Sequence, residues 1–112
     1  MTAPESTRPD SERLRRLEAL LAMEPNDGFV LYGLAQECQK LGRLSESLEW
    51  YDRTMVADPA QCYAAFHKAK VLETLGRRDE AVATLRAGLA KARAIGDRKA
   101  ASEIEGFLDE LE

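Results

Sequence analysis

Residues 28–61, GFVLYGLAQECQKLGRLSESLEWYDRTMVADPAQ, decide the fold once residues 62–95, CYAAFHKAKVLETLGRRDEAVATLRAGLAKARAI, are set beneath them. Ala35 falls on Ala69, Leu41-Gly42-Arg43 on Leu75-Gly76-Arg77, Glu46 on Glu80, Leu48 on Val82, Tyr51 on Leu85 and Met55 on Leu89. The same step of 34 reaches upstream, from Leu14, Leu17 and Leu21 to Leu48, Tyr51 and Met55, and from Pro25 to Pro59. A fixed period of this length means one supersecondary unit copied and stacked, rather than a single irregular core.

Each copy reads as two helices. Leu31, Leu34, Ala35 and Cys38 share one face of a helix from about Asp27 to Leu41, and Gly42 ends it because glycine tolerates a left-handed terminal residue. Leu48, Tyr51, Met55 and Val56 form the inward stripe of the next helix, for which Ser45 is the expected cap; Asp58-Pro59 closes it and opens the one after. In the second copy a helix from about Ala60 to Leu75 turns Ala65, Ala69 and Leu72 inward, and Gly76 ends it. Asp79 is placed to cap a fifth helix facing inward with Val82, Leu85 and Leu89. Arg93 stands where the prolines stood, so this helix runs to about Ile95 before Gly96-Asp97 breaks it.

Upstream, Leu14, Leu17, Leu20 and Leu21 make one stripe of a helix capped by Asp10 or Ser11 and ended by Pro25. Downstream, Ala100, Ile104, Phe107, Leu108 and Leu111 line one face of an amphipathic helix expected to cover the end of the stack. The expectation is an all-α fold of about six antiparallel helices, paired as three hairpins. Residues 1–10 read as a disordered tail and residues 11–112 as a single domain: a half-repeat helix at 11–25, repeats at 28–61 and 62–95, and a capping helix at 97–111.

With 112 residues, 45% hydrophobic and 32% charged, the chain has the composition of one globular domain. Its net charge of −4 argues against nucleic acid as a partner, since phosphate binding needs a basic footprint. Residues 62–99 carry a net +5 and residues 100–112 a net −5. Two readings stand open: solvated helix faces, or an acidic last helix that packs on the basic segment or is displaced from it by an acidic partner. Cys38 and Cys62 form neither a disulfide framework nor a metal site, because His67 is the only histidine and is not at ligand spacing. Unpaired thiols, a polar Met1–Arg8 without an apolar core, and no run near the ~18 apolar residues of a membrane span point to the cytoplasm and away from a membrane.

Leu31, Leu34, Ala35, Leu41-Gly42, Glu46, Leu48, Tyr51 and Asp58-Pro59, with Ala65, Ala69, Leu75-Gly76, Asp79-Glu80-Ala81 and Leu85, resemble the tetratricopeptide repeat, in its small bacterial form. The resemblance departs at Ser47, Thr54 and Gly88, where alanine is usual, and in the missing second proline. It implies a right-handed helical-hairpin solenoid whose first helices line a concave groove that grips a peptide or helix of a partner protein. The groove positions so implied are Phe29, Tyr32, Gln36 and Gln39 from one repeat, and Tyr63, Phe66, His67, Lys70 and Glu73 from the next. Phe29 with Tyr32, and Tyr63 with Phe66, are pairs three residues apart that share a helix face; they read either as groove anchors or as plugs between repeats. The family's carboxylate clamp is not reproduced, because its places hold Tyr32, Gln36, Tyr63 and His67.

Nothing in the chain assembles a catalytic constellation, a metal site or a cofactor loop. Cys62 lies five residues before His67, poorly placed to pair with it, although a helix start there would lower its pKa. Trp50 faces away from the leucine stripe, toward either the joint with a neighbouring repeat or a convex surface. The expected function is therefore that of an interaction scaffold or adaptor and not an enzyme. The alternatives are a homo-oligomerising structural module or a chaperone-like cofactor for a secreted or assembled partner.

Overall fold

The computed structural model describes residues 9–112, which form six helices: α1 Glu12–Met23, α2 Gly28–Lys40, α3 Leu44–Ala57, α4 Tyr63–Thr74, α5 Arg78–Ile95 and α6 Arg98–Leu111. The tail expected over residues 1–10 lies outside the described residues for 1–8. Pro9 and Asp10 are tied down, through the Pro9 carbonyl to Arg43 and the Asp10 carboxylate to Arg15.

Helix starts are set by side chains that accept from otherwise unpaired backbone N–H groups. Ser11 caps α1 by accepting from the Leu14 N–H, and its hydroxyl donates to buried Glu37, pinning α1 to α2. Asp27 caps α2 and Asp97 caps α6. Neither Ser45 nor Asp79 caps. Both lie inside a first turn, and at α3 and α5 Arg43 and Arg77 precede the helix and clamp Glu46 and Glu80 instead. Helix α4 starts at Tyr63 rather than Ala60, because Asp58–Gln61 folds into its own turn with the Gln61 N–H on the Asp58 carbonyl. Gly42, Gly76 and Gly96 end α2, α4 and α5 with φ near +77°, a region side chains disfavour.

Helix α4 touches both α2 and α6, whereas α3 and α5 touch only even-numbered helices. The even helices thus form one layer and the odd helices the other, in a slab 42 × 31 × 17 Å. Leu34, Ala35, Tyr51, Leu72, Leu85 and Ile104 lie between the layers with almost no exposure. Each large aliphatic chain buried there contributes about 1.5–3 kcal/mol, which such short helices cannot supply alone. Trp50 packs against both the core under α1 and the main core, so it fills the joint between repeats. Leu20 and Val56, expected inward, are exposed: both are on outer-layer helices, and among the described residues no helix precedes α1 to cover Leu20.

Where the family pattern expects alanine, Gly88 has a packing reason. A Cβ at Gly88 would stand 2.8 Å from the Ala65 Cβ and 3.6 Å from Ile104 Cδ1, so the glycine lets α5 close on α4 beneath α6. The acidic last helix does pack on the basic segment: Arg93 and Arg86 of α5 pair with Glu105 and Glu112, and Arg78 donates to the Leu111 carbonyl.

Candidate peptide-binding groove

Along the even-helix face runs a continuous row of rings. Tyr51, rising from α3 and fully buried, meets Tyr32 edge-on at 6.3 Å and stacks on His67 at 6.2 Å. Its hydroxyl donates to the Gln39 side-chain carbonyl. The row continues from His67 to Phe66 at 5.5 Å and from Phe66 to Phe107 of α6 at 5.7 Å, both edge-to-face. Tyr63 flanks Phe66 at 6.3 Å, and the Lys70 ammonium lies 4.7 Å over the Phe66 ring, a cation–π placement.

Beyond Phe66 the face opens. A cavity of about 610 Å³ lies between α4 and α6, with Phe66 and Phe107 in its wall, Gln39, Lys70, Glu73 and Thr74 on one side, and Glu103, Gly106 and Glu110 on the other. Such a site, with apolar rings and a few convergent polar groups, holds a side chain and orients the backbone that carries it.

Burial dominates the local electrostatics. It holds the His67 imidazole below its ordinary pKa, reinforced by Lys70 and opposed by Glu103. The Tyr32 and Tyr51 hydroxyls are pushed upward by burial and by neighbouring phenols. The Tyr63 hydroxyl oxygen is buried, and burial together with the nearby Glu103 carboxylate raises its pKa. Burial also raises the Cys38 and Cys62 thiols, so the helix start does not activate Cys62.

The nine residues expected to line the groove divide. Gln39, Phe66, Lys70 and Glu73 come together at the cavity. Tyr32 and His67 are half-buried, their rings in the internal row, and Tyr63 sits beside Phe66. Gln36 is exposed on the same helix, outside the cavity wall. Phe29 is 85% exposed at the start of α2 and meets no ring among the described residues. Sequence reasoning missed the α6 side, because α5 has 18 residues against 14 in α3 and so shifts α6 out of the 34-residue step. One signal was there: Glu103, Gly106 and Glu110 repeat the spacing of Phe29, Tyr32, Gln36 and of Tyr63, Phe66, Lys70.

No sequence-family model matches the chain, and no curated protein does. Among solved structures, a tetratricopeptide repeat domain protein from Salinibacter ruber is 32% identical, with a TM-score of 0.73, covering 80% of this chain and 90% of that one. The chain belongs to the tetratricopeptide repeat family. Its fold is also that of SycD, a type III secretion translocator chaperone from Yersinia enterocolitica (19% identity, TM-score 0.80, 88% of this chain and 68% of that one). PcrH, solved with the chaperone-binding region of PopD, is similar again (23% identity, TM-score 0.81, 88% and 74%). This tetratricopeptide protein thus shares its architecture with helical-repeat chaperones. Among its described residues no helix is long and apolar enough to cross a membrane.

Proposed function

We propose that this tetratricopeptide protein is a peptide-binding adaptor, gripping a segment of a partner protein in the cavity between α4 and α6. The observation that carries the proposal is that cavity, about 610 Å³ with Phe66 and Phe107 in its wall and charged groups at its rim. Aromatic anchors in a partly dry groove dominate binding in interfaces of this kind. PcrH, similar in fold, is in complex with the chaperone-binding region of PopD in its structure, which supports a chaperone-like variant of the same role. The buried, unpaired Cys38 and Cys62 suit a reducing compartment such as the cytoplasm. The ring neighbours of His67 are aromatic rather than nucleophilic, which supports a binding role over an enzymatic one.

Selection of a phage-displayed library of 12-residue peptides on the whole chain tests this, followed by NMR titration of the ¹⁵N-labelled protein. Enriched peptides should shift the amides of Phe66, Lys70, Gly106 and Phe107 most. Shifts confined to the odd-helix face, or no enrichment, would overturn the proposal.

Self-association is a second reading, favoured by the α1 end, where Leu20 is 51% and Met23 80% exposed. It does not involve the apolar face of α6, whose Ile104, Leu108 and Leu111 are buried within the chain. Sedimentation equilibrium should then show a dimer that Leu20→Glu with Met23→Glu dissociates; a monomeric wild type ends this reading.

A further inference from the structure

We infer that the α4–α6 groove selects a basic partner segment, one in which an apolar or aromatic residue is flanked by lysine or arginine. The inference rests on the groove reading above and adds the chemistry of what enters. Three carboxylates line the cavity, Glu73 from α4 and Glu103 and Glu110 from α6, and none of them forms an ion pair with a described residue. Their neighbours on the far side of α6 do pair: Glu105 with Arg93 and Glu112 with Arg86. Arg86 and Arg93 of α5 are therefore engaged on the far side of α6, and the groove side keeps its negative charge.

Among the described residues Lys70 is the only cation lining the cavity, and it sits over the Phe66 ring rather than against a carboxylate. Three carboxylates facing one ammonium leave the groove net negative, and a cation brought by the partner relieves their mutual repulsion. The same charge rejects acidic segments, so it sets selectivity as well as affinity. The Phe66–Phe107 edge supplies the apolar contact, and an arginine guanidinium stacks on such rings better than an ammonium does.

Gly106 shapes the entry. A Cβ built there meets nothing within 4 Å, so the α6 backbone lies open between Glu103 and Glu110 and a partner chain can run close against it. Gly106→Leu would project into that space without touching the core, and leucine favours helix over glycine. This variant obstructs the groove while the fold is kept or strengthened, which circular dichroism and a melting curve verify.

The library selection, carried out on three proteins, is the test. On the wild-type chain, enriched 12-residue peptides should carry Lys or Arg next to an apolar residue, and raising NaCl from 50 to 300 mM should weaken them several-fold. On Glu103→Gln with Glu110→Gln, the same peptides should bind at least tenfold more weakly and the basic bias should disappear. On Gly106→Leu, enrichment should vanish. Neutral or acidic peptides that Gly106→Leu still blocks would overturn the charge selectivity and leave the groove standing. Peptides that bind Gly106→Leu as tightly as wild type would overturn the groove reading itself, and the absence of any enriched peptide would overturn both.

Discussion

The concave face has two halves built on one spacing, and they end in opposite states. Tyr32, Gln36 and Gln39 on α2 are 34 residues from Phe66, Lys70 and Glu73 on α4. Between α2 and α4 the face is filled from within, because Tyr51 rises from α3 to meet Tyr32, His67 and Gln39. The counterpart of Tyr51 in the next repeat is Leu85, which is buried but has no ring to carry forward. Phe66 meets Phe107 of α6 instead, and a cavity remains open beside them. Equivalent positions in a repeat share a direction; the residue behind them decides whether they are free.

The largest test of this contrast is Tyr51→Ala. Losing a fully buried aromatic should cost about 3–5 kcal/mol, a large part of the ~5–15 kcal/mol expected for such a domain. Urea denaturation measures it, and a loss under about 1 kcal/mol would show that this ring does not hold the closed half together. Tyr51→Phe, which loses only the hydrogen bond to Gln39, should cost about 1 kcal/mol.

Next comes Gly88→Val, at the position 34 residues after Thr54. Thr54 fits its repeat, buried with its hydroxyl on the Trp50 carbonyl, whereas Gly88 is held against the Ala65 Cβ. Overpacking there should cost about 1–3 kcal/mol by the same measurement, and a neutral result would mean that α5 can withdraw from α4 freely.

A smaller effect is expected from acid. The folded pKa of His67 is depressed, so the unfolded chain takes the proton more readily. The stability this contributes is complete above the unfolded value of about 6.5 and is lost as pH falls from there through the folded value. Tyr32, Tyr51, Phe66, Lys70 and Glu103 surround the ring, and only Glu103 favours the charged form. Urea midpoints at pH 7.5 and 5.5 should differ less in His67→Phe than in wild type; equal differences would remove His67 from the account. The smallest effect belongs to Phe29→Ala. So exposed a ring should leave stability within about 0.5 kcal/mol and selected peptides unaffected, and any loss of binding would extend the groove past the ring row.

Much of the architecture was legible because it repeats. Leu34, Ala35, Ala69, Leu72, Leu85 and Ile104 could be placed inside from helical spacing alone, and the three stop glycines from their position after each apolar stripe. Caps were less legible. Ser45 and Asp79 have suitable side chains one residue too late, and the Arg43–Glu46 and Arg77–Glu80 clamps replace them. Val56 and Leu20 misled for another reason: helical spacing names a face, but only a neighbouring helix can cover it, and among the described residues none does there.

The amino-acid order by itself determined that helices form, where they stop and most of the stripe that each turns inward, since these depend on residues within a few turns or one repeat of each other. Tertiary structure alone decided that α6 lines the cavity rather than merely closing the stack, that Tyr32 and His67 are engaged by Tyr51, and that three glutamates on two helices face one opening. The physical reason is distance along the chain. Those outcomes depend on the extra turn of α5 and on side chains dozens of residues apart meeting across packed helices, and no local pattern encodes such a meeting.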